Sequence, residues 1–282
     1  IPPGLAGAPF PPPAGFHPRT LPPFWILSRE TAFGNSFFGE FESDFRRTAD
    51  VLESDTIIAR DETFEIIGKA SWVLDESDPA GTRSSITASL TSTNVKKTMQ
   101  RLDYAPGIVG DDLSMLLDLS WSGGPSEKLL ETVDGQVKVR IGDGRLEEVK
   151  PGAGRVFGLL SVAALPRRLA LDFRDVFGKG FAFDKIQGTF TLIDGNTYTC
   201  DLSLESPAAD IGIVGRAGLV TRDSEQSAVV SASFGNALPG AGALVAGPQV
   251  AAALLIFSQI FKKPLQEATQ IYYGIGGTFD EP

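Results

Sequence analysis

From Phe24 onward apolar and polar residues alternate with a period of two. Phe37, Gly39, Phe41, Ser43 and Phe45 interleave with Phe38, Glu40, Glu42 and Asp44. Phe64, Ile66, Gly68, Ala70 and Trp72 interleave with Glu65, Ile67, Lys69 and Ser71, and Leu113, Met115, Leu117, Leu119 and Trp121 share one parity. Near the middle of the C-terminal half, Tyr198, Cys200, Leu202 and Leu204 alternate with Thr197, Thr199, Asp201, Ser203 and Glu205. Such alternation makes strands with one apolar and one wet face. Gly142-Asp143-Gly144 and Asp194-Gly195-Asn196 look like hairpin connections. The pattern predicts an antiparallel meander rather than a βαβ protein.

Three helices are expected to interrupt the strands. The first runs from about Asn94 to Leu102, with Val95, Met99 and Leu102 on one stripe. The second runs from about Ala153 to Leu165 and is stopped by Pro166. The third runs from about Pro248 to Phe261 and ends at Lys262-Lys263-Pro264. Residues 1–23 read as a separate linker or disordered segment, because nine prolines favour polyproline II or coil.

No charged residue occurs between Glu225 and Lys262. Spanning a bilayer takes roughly 20 apolar residues in one helix, and Gly247-Pro248 break this run. What remains fits a helix lying in one leaflet, with Leu244, Val245, Val250, Leu254, Leu255, Phe257, Ile260 and Phe261 as membrane contacts. Lys262 and Lys263 would snorkel to headgroups. The competing reading is a core helix on the sheet. Arg155, Arg167 and Arg168 flank the second helix and are either headgroup contacts or partners of Asp172 and Asp175.

Net charge is −10, with no basic stripe, which argues against nucleic acid as a partner. Cys200 is the only cysteine, so neither an internal disulfide nor a cysteine-based metal site is expected. The single histidine, His17, lies in the proline-rich segment, and neither a nucleophile elbow nor a phosphate-binding loop is present. Catalysis, cofactor and metal are therefore not expected.

The stretch PGAGRVFGLLSVAALPRRLALDFRDVFGKGFAFDKIQGTF, from Pro151 to Phe190, resembles the signature region of the YhdP-type AsmA-like family. That family carries a GxGR-(L/F)-GLL helix, then LPRRL, then a DF-x-D-x-F-x-KGF-x-FD strand pair. Leu119 to Pro125 is similar to its L-x-W-x-G-x-P motif, and the likeness extends from about Phe24 to Pro282, with Phe279 where the family usually has Trp. The resemblance implies a mainly β fold: an elongated, twisted antiparallel sheet forming an open apolar groove, with a few short helices. It implies one unit over 24–282 with an apolar helical tip at about 237–263.

It further implies non-enzymatic phospholipid transport between inner and outer membrane. The chain would be the periplasmic end of a conduit that meets the inner leaflet of the outer membrane. The full-length protein would be anchored in the inner membrane, with an envelope protein as a further partner. Phe190, Leu192, Tyr198, Cys200, Leu202 and Leu204 are then the groove-lining candidates. The alternative is a scaffolding β-domain that docks on a membrane or partner without carrying lipid.

Overall fold

The computed structural model describes residues 17–125, 129–147, 181–232 and 269–278. Strands dominate. A twelve-stranded sheet takes its members in the order β1 (Phe24–Phe33), β2 (Ser36–Thr48), β3 (Val51–Arg60), β4 (Phe64–Leu74), β5 (Thr82–Ser92), β7 (Leu113–Ser122), β8 (Asp134–Ile141), β11 (Lys185–Ile193), β12 (Asn196–Glu205), β13 (Ala209–Gly218), β14 (Asp223–Ala232) and β15 (Thr269–Thr278). Every adjacent pair is antiparallel, and among the described residues β1 and β15 are the edges, so the sheet is open rather than closed into a barrel. A second sheet of three short strands is ordered β10 (Phe181–Phe183), β9 (Gly144–Leu146) and β6 (Ile108–Gly110). Helices α1 (Val95–Arg101) and α2 (Leu129–Thr132) complete the described elements.

Alternation has the expected result over most of the large sheet. Leu113, Ile141, Ile186, Leu204, Ile211 and Val230 pair one with the next and make an apolar row across six strands. All six are buried. Ile108, Leu146, Phe181 and Phe183 of the small sheet, with Val95 and Met99 of α1, pack into the same core. Burying each such side chain is worth about 1.5–3 kcal/mol before entropy is counted.

Helix α1 begins where Asn94 Oδ1 accepts the Lys97 N–H at 3.0 Å and ends at Leu102, as the sequence predicts. Its polar anchor is a buried hydroxyl chain. Thr98 Oγ1 lies 2.8 Å from Ser92 Oγ and 3.0 Å from Thr63 Oγ1, which satisfies all three groups inside the core. Asp194 and Gly195, both with positive φ, form the expected tight hairpin between β11 and β12. Gly142-Asp143-Gly144 is not a hairpin. It carries the chain from β8 in the large sheet into β9 in the small one.

The end of the proline-rich segment is not free. His17 stacks obliquely 6.5 Å from Trp72, Pro18 is buried, and Arg47 Nη1 donates to Arg19 O at 2.8 Å. The expected helices at 153–165 and 248–261 lie outside the described residues.

Candidate functional site

The same face of the large sheet that carries the core continues across β3, β4, β5 and β7, where no lid of comparable extent is formed by the described residues. Ile57 pairs with Gly68, Gly68 with Ala88, and Ala88 with Leu117. The neighbouring row is Ala70, Ile86 and Leu119. Ile57, Ala70, Ile86, Leu117 and Leu119 are all only half-buried. Small residues at the centre of this strip are obligatory: a Cβ on Gly68 would stand 2.6 Å from that of Ala88.

Two flanks rise beside the strip. On one side α1 is held by Arg101, whose Nε and Nη2 lie 2.9 and 2.7 Å from Asp61 Oδ2 and whose guanidinium sits 5.2 Å above the Phe37 ring. On the other side the Trp72 ring closes over Gly124, where a Cβ would stand 2.7 Å from Trp72 Cζ2, and Trp121 Nε1 donates to Gly124 O at 3.0 Å. A bulkier residue at Gly124 would displace the Trp72 ring, and Gly123, the glycine of the Trp-x-Gly-x-Pro sequence at 121–125, has a φ of 84° that favours glycine.

Two buried hydroxyls at the strip's β2–β3 end pair with each other. Ser43 Oγ and Ser54 Oγ, both buried, lie 2.9 Å apart. Charge is concentrated on the opposite face, where Lys69, Asp118 and Lys138 line a shallow open depression of about 520 Å³ together with exposed Ile67 and Leu116. The Arg216 guanidinium beside Asp223 holds that carboxyl below its ordinary range, helped by the Thr221 hydroxyl. Glu147 is held low by Lys96, which reaches it from α1 at 2.7 Å, and by Arg145. Among the described residues no His, Cys, Asp or Glu cluster has metal-binding geometry, and no helix is long and apolar enough to cross a membrane.

The six groove candidates divide into two groups. Phe190, Leu192, Leu202 and Leu204 are buried in the packed core. Tyr198, 42% exposed, and Cys200 lie on the opposite, polar face. The shared parity expected for Tyr198, Cys200, Leu202 and Leu204 is therefore corrected. Both neighbours of β12 shift register between Thr199 and Leu202, so β12 holds one extra residue there. Thr197 and Thr199 face inward before the bulge, Leu202 and Leu204 after it. Asp201 fills the bulge and accepts the Thr189 N–H at 2.7 Å. The half-buried strip through Ile57, Ile86 and Leu117 was present in the alternation, although pattern alone does not separate an uncovered apolar face from a core. Arg155, Arg167, Arg168 and the membrane-contact candidates from Leu244 to Lys263 lie outside the described residues.

Comparison with known proteins agrees with this architecture's sequence signature. The intermembrane phospholipid transporter YhdP of Escherichia coli (strain K12) is 29% identical over 276 residues, which are 98% of this chain and 22% of the relative. The chain thus spans about a fifth of that relative's length. No solved structure matches it. The family described as YhdP protein matches residues 7–282, so that nearly the whole chain is accounted for, and the chain belongs to the YhdP family.

Proposed function

We propose that this chain is a section of a non-enzymatic phospholipid conduit of the cell envelope, and that the half-buried strip beside the core is where acyl chains lie. The carrying observation is the open apolar face running from Ile57 through Gly68 and Ala88 to Leu117. Each CH₂ kept from water there contributes about 0.8 kcal/mol. No ionised group of the lipid needs desolvation, because an open edge leaves headgroups in water. The relative's description as an intermembrane phospholipid transporter supports the same reading.

In this reading Phe190, Leu192, Leu202 and Leu204 form the packed end-wall that the strip abuts. Tyr198 and Cys200 face away from the lipid. The segment around 237–263, with Arg155, Arg167 and Arg168, meets the inner leaflet of the outer membrane, and the full-length protein is anchored in the inner membrane. One unit extends over 24–282, reached through a proline-rich segment. The alternative, a scaffolding domain, predicts that nothing but protein touches the strip.

A photoreactive amino acid at Ile57, Ile86 or Leu117 in the full-length protein in cells separates these. Phospholipid adducts at these positions, and none at Thr87 on the opposite face, are the expected result. Adducts to protein alone at all three would remove the conduit reading.

A further inference from the structure

The inner face of the large sheet changes character within a single cross-strand row. Ile57, Gly68, Ala88, Leu117, Val137 and Phe190 pair one with the next from β3 to β11. Ile57 and Leu117 are half-buried, whereas Val137 is 4% exposed and Phe190 1%. Cross-strand partners share a face, so the strip ends between β7 and β8 against packed side chains. An acyl chain lying in it cannot continue along the row past Leu117.

The two sides of that closed end differ. Toward the start of β7, Leu113 is buried in one cluster with Leu90 and with Val95 and Met99 of α1, and Met115 packs against the same cluster. Toward the other end of β7 the apolar face stays open among the described residues. Leu117, Leu119 and Trp121 follow one another on the inner face, and all three are half-buried. The rim beyond them is low, because Gly123 and Gly124 come next in the chain.

Two exposed aliphatic side chains stand beside this rim. Leu119 pairs with Gly135 and Ser120 with Asp134, so the chain enters β8 alongside Leu119. Val133, just before β8, is buried in the core, and Leu130, one turn earlier in α2, is 46% exposed. Val220, between β13 and β14, is 53% exposed. Both converge on the β11–β12 hairpin: a Cβ on Gly195 would stand 2.5 Å from Leu130 O and 3.3 Å from Val220 Cγ2. The Leu219 N–H donates to Gly195 O at 2.9 Å and ties the two turns together. Single exposed aliphatics scattered over a surface are ordinary. These two lie together, next to the open margin of a blocked apolar strip.

We infer that acyl chains leave the strip over this rim, passing from Leu117 and Leu119 across Trp121 to Leu130 and Val220. The inference rests on the conduit reading above and adds where the lane ends. Lifting the chains straight off the sheet would hydrate them along their whole length at once. The route over the rim keeps part of each chain on apolar surface at every stage, and the headgroup stays in water throughout. Trp121 suits the turning point. Its ring is apolar, and its Nε1 already donates to Gly124 O, so it asks no hydrogen bond of the lipid.

A photoreactive amino acid at Leu130 or Val220 in the full-length protein in cells tests the route, with one at Ile86 reporting on the strip itself. Phospholipid adducts are expected at all three positions. The strip is then blocked in two ways, by Ala70→Phe, which fills it without adding charge, and by Leu117→Asp. A thermal melt of the 282-residue chain shows which blocked variant is folded. Adducts at Leu130 and Val220 are expected to fall several-fold in a folded blocked variant. Adducts at Ile86 with none at either rim position overturn the exit route and leave the conduit in place. Rim adducts undiminished by blocking mean that lipid reaches the rim from a surrounding bilayer, and they overturn the route as well. Absence of phospholipid adducts at Ile86 overturns the conduit reading and the route with it.

Discussion

Asp201 Oδ1 accepts the backbone N–H of Thr189 from the neighbouring strand at 2.7 Å, closing the one-residue bulge in β12. A side chain here replaces a ladder hydrogen bond that the extra residue would otherwise leave unmade. Asp201→Ala is expected to lower unfolding free energy by about 1.5–3 kcal/mol, the usual cost of losing a hydrogen bond to a charged group. Asp201→Asn should lose less. Urea denaturation of the three proteins checks the ranking.

Because the bulge reverses the strand's phase, Cys200 stands on the wet face and Leu202 in the core. Cys200 is expected to react rapidly with a water-soluble maleimide in the native protein. In a Cys200→Ser background, Leu202→Cys should react only upon unfolding. Equal rates at the two positions would show that β12 runs without its bulge.

The core and the strip should respond differently to the same kind of truncation. Phe190 is 1% exposed and surrounded by packed side chains, so Phe190→Ala should cost about 3–5 kcal/mol. Leu117 is half-buried at the core's margin, and Leu117→Ala should cost clearly less, about 1–2 kcal/mol. Thermal melts report both. A Leu117→Asp chain that still folds should lose lipid adducts from a photoreactive group at Ile86.

Acid should loosen the molecule in a defined sense. Asp223 and Glu147 have their folded pKa held down, by Arg216 with Thr221 and by Lys96 with Arg145 respectively. A carboxylate depressed in the folded state adds stability that is fully present above its unfolded pKa. That stability is lost as pH falls through the folded value. Melting temperature is therefore expected to be flat through neutrality and to fall below the ordinary carboxylate range. Arg216→Gln should reduce the part of that slope due to Asp223. Both pairs are partly exposed, so the slope should also shrink in high salt.

Most strands were readable from alternation, because a sheet with one buried face imposes a period of two on its sequence. Phe64 to Trp72 and Leu113 to Trp121 keep one phase from end to end, and the structure follows them. The phase of β12 was not readable, since Asp201 looks like any polar residue of the wet face until its partner Thr189 is known. The same holds for β3, where register shifts between Ser54 and Ile57. Nor did spacing reveal that the glycines at 142 and 144 lead into a second sheet. The boundary between packed core and half-buried strip depends on where α1 and the small sheet land, which is a long-range property. Thr197 and Gln226, which the structure buries, read as ordinary strand polars.

The order of strands in the large sheet is the order of the chain, with two long connections, 142–184 between β8 and β11 and 233–268 between β14 and β15. Each strand therefore completes its ladder against the one made just before it. Apart from the β8–β11 and β14–β15 ladders, few hydrogen bonds of that sheet wait for a distant segment to arrive, and the loop-closure entropy of each of those other additions is small. Growth can run from the amino end forward, one hairpin at a time, as the polypeptide emerges. The leading edge is an unpaired strand at every moment of that growth, so the period of greatest aggregation hazard is assembly itself.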